Sequence, residues 1–187
     1  MTRLMTTLAA TLALALALPA TAAELGDDGL HKAPWMVETF KDLREDLDEA
    51  NAEGRRLMVI VEQRGCIYCT RMHEEVFPDP DIATMLGEDY YVVQINMFGD
   101  VEVTDFDGEA LSEKEAVRKW RLNFTPTMMF FPEDVPDGVD AESAAAATVP
   151  GAFGIETTRN MLTWVLEKGY DGDEPFQAYH ARKLGGG

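Results

Sequence analysis

The chain has 187 residues, with 34 Asp and Glu against 16 Lys and Arg, for a net charge of −18 at neutral pH. So acidic a surface repels phosphate and excludes a nucleic-acid partner. It serves either solubility or the choice of a basic partner surface. The length suits one well-packed domain.

The first 23 residues read as a signal peptide. Arg3 precedes an uncharged Ala, Leu and Thr run from Leu8 to Leu18, and Ala20-Thr21-Ala22-Ala23 offers small residues for cleavage after Ala22 or Ala23. The apolar run is too short to stay in a membrane, and no later segment reaches roughly 18 uninterrupted apolar residues. No cysteine follows the run, so a lipid anchor is not supported. The exported chain, residues 24–187, is one unit more negative because the leader holds Arg3 and no acid.

Trp35, Phe40, Leu43 and Leu47 recur at helical spacing and predict a helix through about Ala52, stopped at Gly54. Leu57 to Gln63 reads as a buried strand. A helix is expected from Cys66 through Val76, broken at Pro78-Asp79-Pro80, with Asp81 capping a short continuation to Gly87. Tyr90 to Met97 is a second strand. Phe98 to Leu111 is acidic and reads as a turn between short strands. Asp105-Phe106-Asp107-Gly108-Glu109 resembles a calcium loop, but that register puts Val103 first and Lys114 last, both wrong for calcium.

Ser112-Glu113-Lys114-Glu115 predicts a capping box, followed by a helix with Ala116, Val117 and Trp120 on one face. Leu122 to Phe131 carries Thr125-Pro126 at the head of an apolar strand. Residues 132–146 read as a loop, and Ala147 to Gly151 as an edge strand blunted by Pro150. Ile155 to Lys168 is an amphipathic helix closed by Gly169. Residues 171–187 read as a tail in which Phe176 and Tyr179 pack back and the final glycines are disordered. The order predicts an α/β domain over 24–170, a central mixed sheet with helices on both faces.

Cys66 and Cys69 are the only cysteines, in the run Gly65-Cys66-Ile67-Tyr68-Cys69. A purely structural disulfide across so small a loop would contribute only roughly 2 kcal/mol. Zinc would need two further ligands, and His31, His73 and His180 are scattered along the chain. Redox chemistry suits the spacing better. A helix N-terminus presents free N–H groups and the positive end of the dipole, which stabilise a thiolate. Cys66 is then the attacking thiol, and Cys69, one turn later, resolves the mixed disulfide. Gly65 permits the tight turn and leaves room for a substrate chain. Arg64 adds positive charge beside Cys66 unless it points to water. No cofactor or metal is required.

The strand leading into Gly65-Cys66-Ile67-Tyr68-Cys69, with Phe124-Thr125-Pro126-Thr127 and the terminal helix, resembles the thioredoxin superfamily over roughly residues 35–170. Val103-Thr104-Asp105-Phe106-Asp107-Gly108, Ser112-Glu113 and the Thr-Pro segment are similar, more narrowly, to exported SoxW-type thioredoxins, some of which are linked to sulfur-compound oxidation. The resemblance implies a cis Pro126 facing the cysteines, with the Thr125 backbone pairing with substrate. It also implies a reductase that acts on disulfide-containing exported proteins, a sulfur-oxidation carrier among them, and is recharged by a membrane electron donor; the leader predicts the periplasm, and a monomer is expected.

The chain departs from cytosolic thioredoxins at Gly65, at Ile67-Tyr68, and at Ile60, where they carry a buried aspartate. Glu62, two residues on along the same strand face, is a candidate for assisting deprotonation of Cys69, or else an exposed or salt-bridged carboxylate. Tyr68 is a candidate for bonding near the pair or covering it. The alternatives are a disulfide oxidant or isomerase, and a non-catalytic binding protein on the same fold.

Overall fold

A computed structural model describes residues 23–186. The expected leader lies, apart from Ala23, outside the described residues. Among them no helix is long and apolar enough to cross a membrane. A hairpin of β1 (Glu24–Leu25) and β2 (His31–Lys32) precedes α1 (Leu43–Ala52), β3 (Arg56–Glu62) and α2 (Ile67–Arg71). A π-helical turn, Met72–Val76, continues α2 and leads to α3 (Pro80–Glu88) and β4 (Tyr90–Asn96). A second hairpin, β5 (Glu102–Thr104) and β6 (Ala110–Ser112), is followed by α4 (Glu113–Lys119) and β7 (Thr127–Phe130). The chain ends with α5 (Ala141–Ala144), β8 (Ala147–Pro150), α6 (Ile155–Leu166), a 3-10 turn at Gly169–Asp171, and α7 (Phe176–Gly185).

The main sheet has the order β4-β3-β7-β8. β3 runs parallel to β4, from Arg56 opposite Tyr90 to Glu62 opposite Asn96. β7 is antiparallel to β3, and β8 to β7, so the sheet is mixed as the element order predicts. Every residue of β3 is buried, which its continuous apolar run requires of a strand covered on both faces. Leu57, Val59 and Val61 meet Leu43 and Leu47 of α1 and Val117 of α4. Met58 and Ile60 turn to the opposite face, against Met72, Ile82 and Leu86, with Leu162 and Val165 of α6. Each fully buried Leu, Ile or Val contributes about 1.5–3 kcal/mol, and the two clusters clamp β3 from both sides.

Several boundaries differ from the sequence reading. Trp35 and Phe40 are not helical. α1 starts at Leu43 because the Asp42 carboxylate accepts the N–H groups of Arg44 and Glu45, at 3.0 and 3.2 Å. Phe40 is exposed, while Trp35 packs edge-on to Phe77 at 5.2 Å. Asp79, not Asp81, caps α3, accepting from Asp81 and Ile82 with Pro80 in the first turn. The capping box forms, with the Glu115 carboxylate accepting the Ser112 N–H at 3.0 Å. Lys168, rather than Gly169, takes the left-handed conformation after α6, at φ 55°. Gly169 is small for another reason: a Cβ there would lie 2.1 Å from Nε1 of Trp164. The segment read as a tail contains α7, whose Tyr179 is buried and whose Phe176 packs edge-on to Trp164.

The acidic excursion folds inward. Buried Asp105 accepts the indole N–H of Trp120 at 2.9 Å, the Ala141 N–H at 2.9 Å and the Phe106 N–H at 2.8 Å, and it pairs with Lys119. This clasp accounts for the aspartate that sequence spacing sets beside a calcium pattern. Asp105→Ala leaves those donors unpaired and is expected to cost on the order of 3 kcal/mol in urea unfolding.

Asp46, buried on α1, has its carboxyl pushed up to about 7, first by burial and then by Glu49, Asp42 and Glu45, against a bond from Thr39. Its protonated form is favoured in the folded state, so that stabilisation is present below the unfolded carboxylate pKa and lost as pH rises through about 7. Asp46→Asn is therefore expected to raise the melting temperature more at pH 8 than at pH 4.

Candidate redox site

β3 ends at Glu62, and the chain turns through Gln63-Arg64-Gly65 into α2. Gly65 has φ 72°, the left-handed region that favours glycine, and the space where a Cβ would stand is open. Cys66 is the N-cap of α2 and its sulfur accepts the Cys69 N–H at 3.0 Å. Cys69 lies within the helix. The two form a disulfide with Cα atoms 5.2 Å apart. Cys66 is 6 % exposed and Cys69 0 %, so a solvent-side partner meets Cys66 first.

Opposite stands the Thr125-Pro126 peptide, which is cis. It precedes β7, and the pairing of β7 with β3 brings it to the end of β3 where the cysteines lie. The Thr125 hydroxyl donates to Sγ of Cys66 at 3.3 Å. The Pro126 carbonyl is taken by the Gly151 N–H at 2.7 Å, and the Phe124 carbonyl by the Thr127 hydroxyl at 2.7 Å. Among the described residues, the Thr125 N–H and carbonyl have no such partner. Ile67, Tyr68 and Phe124 are all exposed, giving the cysteine an apolar surround. Tyr68 bonds no side chain or backbone group among the described residues.

Two expected neighbours are directed elsewhere. Arg64 donates to the carbonyls of Asp28 and Asp27, at 3.1 and 3.4 Å, and so ties the first hairpin to the loop before Cys66. Glu62 is neither exposed nor bonded to a cysteine. It is fully buried, its Oε1 meeting Nε2 of His73 at 3.0 Å and its Oε2 accepting from Gln94 at 2.7 Å. The His31 ring stacks on His73 with centroids 4.5 Å apart. Burial lowers the His31 pKa, and His73 lowers it further, against Glu62 and Glu74. The histidines that look scattered in sequence are thus partly gathered. His73 follows Cys69 by four residues and shares its buried helix face, a signal the sequence offered. His31 had none, since a two-residue strand carries no readable pattern.

A parallel strand entering a capping cysteine pair, faced by a cis threonine-proline at the head of an antiparallel strand, defines a thioredoxin fold bearing a thiol–disulfide oxidoreductase pair. The sequence profile of the thioredoxin-like domain matches residues 43–141, and the chain belongs to that family. The fold is similar to that of a thioredoxin-fold protein from Helicobacter pylori, with a TM-score of 0.57 at 14% identity over 72% of this chain and 87% of that one. It is also similar to a thioredoxin from Thermus thermophilus, with a TM-score of 0.51 at 25% identity over 68% and 86% of the two chains. No curated protein matches the chain.

After reduction, iodoacetamide at neutral pH is expected to modify Cys66 at least about tenfold faster than buried Cys69, read by peptide mass. Thr125→Val removes a donor to the Cys66 sulfur, and a hydrogen bond to a charged group is worth about 1.5–3 kcal/mol. The Cys66 thiol pKa, followed by thiolate absorbance, is expected to rise by about one to two units.

Proposed function

We propose that the protein is an exported, monomeric thiol–disulfide reductase of the periplasm, of the SoxW type, acting on disulfides of other exported proteins. The observation that carries the redox reading is the Cys66 sulfur at a helix cap, receiving the Cys69 N–H and the Thr125 hydroxyl at 3.0 and 3.3 Å. Both donors stabilise a thiolate on Cys66 once the pair is reduced.

The Cys66 thiolate attacks one sulfur of a partner disulfide. A Cys66–partner disulfide forms, and the partner's other sulfur leaves as a thiolate that takes a proton from water. Cys69 then gives up its proton and attacks Sγ of Cys66. The Cys66–Cys69 bond forms and the second partner sulfur leaves, so the partner gains two electrons and two protons. A membrane electron donor restores the dithiol. The free Thr125 backbone groups suit a short β-like pairing with the partner chain, and exposed Ile67, Tyr68 and Phe124 offer it apolar cover. The strong net negative charge favours partners with basic surroundings.

The reducing direction rests on the resemblance to SoxW-type proteins. One observation favours the opposite direction: donors that stabilise the Cys66 thiolate also stabilise the reduced pair, which makes the disulfide more oxidising. Equilibration with glutathione buffers separates the two readings. A potential well below the glutathione poise is expected, and one well above it assigns an oxidant. Reduction of insulin with dithiothreitol is expected to require both cysteines. Cys69→Ser is expected to retain exported proteins as mixed disulfides on Cys66; a variant that captures none sinks the proposed order of attack.

A further inference from the structure

We propose that His31, Glu62 and His73 form a binding site for one divalent transition-metal ion of the zinc class, with neither cysteine among its ligands. Each residue offers a ligand atom, and the three atoms lie within 4.8 Å of one another. Glu62 and His73 are buried and His31 is half-buried. Two imidazoles and one carboxylate are the donor set of three-ligand zinc sites, which leave a fourth position for water.

The Glu62–His73 pair needs little adjustment. Its N···O separation is 3.0 Å, whereas two ligands of a tetrahedral ion bound at about 2.1 Å stand about 3.4 Å apart. The surrounding bonds already hold the carboxylate. Gln94 donates to the other oxygen of Glu62 at 2.7 Å and to the His31 carbonyl at 2.8 Å, and Lys32 donates to Gln94 at 2.7 Å. One amide thus fixes two ligand-bearing segments, the outer support that ligating carboxylates use. Nδ1 of His73 is buried with no hydrogen-bond partner among the described residues. The ring is held by packing rather than by a second bond, stacked between His31 and Trp35 and edge-on to Phe77, with Nε2 directed at Glu62.

His31 must move most. Its ring lies at 11° to that of His73, so their in-plane lone pairs run side by side rather than converging. Turning His31 out of the stack aims its nitrogen at the ion. The residue is placed to do so, half-buried on a two-residue strand, with no side chain bonded to its ring among the described residues.

The test titrates zinc chloride into the full chain with Cys66 and Cys69 oxidised, so that thiols take no part. Calorimetry is expected to give one ion per chain. Cobalt(II) in its place is expected to give visible absorption of four-coordinate intensity. Glu62→Gln and His31→Ala are each expected to weaken zinc at least about tenfold. His31→Ala removes only a half-buried ring and leaves the Glu62–His73 bond in place, so its loss of binding is not a loss of fold; circular dichroism checks this. Absence of binding, or binding that survives both substitutions, overturns the site. Because the measurement uses oxidised protein, its failure is independent of the redox assays.

Discussion

Burial of β3 on both faces is the constraint from which the redox site follows. The strand is held by hydrogen bonds to β4 on one edge and β7 on the other, and by an apolar cluster on each face. Its C-terminal end therefore has a fixed place and direction, and only three residues separate it from Cys66. The same edge pairing with β7 brings Thr125 to that end. Two segments 59 residues apart thus meet at a sulfur–hydroxyl distance of 3.3 Å. Sheet formation assembles the site, and the local chemistry of each segment contributes only what it presents there.

What was readable in the chain matches what is local and periodic. The unbroken apolar run at 57–61 signals a strand covered twice, and the spacing of the cysteines after it signals a helix cap. Thr125-Pro126 before another apolar run announces a special strand entry. Ser112 and Glu115 disclose their helix start by spacing alone. In each case one backbone requirement and one residue type coincide.

What was not readable is settled by competition or by long-range pairing. Trp35 and Phe40 fit a helical period, yet the cap at Asp42 starts the helix after both, and Trp35 is drawn to Phe77 instead. Asp81 is as good a cap residue as Asp79, but only Asp79 directly precedes Pro80 in the first turn. Arg64 looks like an electrostatic partner for Cys66 until the first hairpin supplies carbonyl acceptors. The meeting of His31 with His73 spans 42 residues and depends on that hairpin lying over β4 through Gln94. Nothing in the period of either segment encodes it.

The Arg64 clamp has a practical consequence for anyone handling this protein. It pins Asp27 and Asp28, in the turn of the first hairpin, to the residue two places before Cys66. An affinity tag fused ahead of Glu24 would load a hairpin that is tied directly to the loop of the reactive thiol.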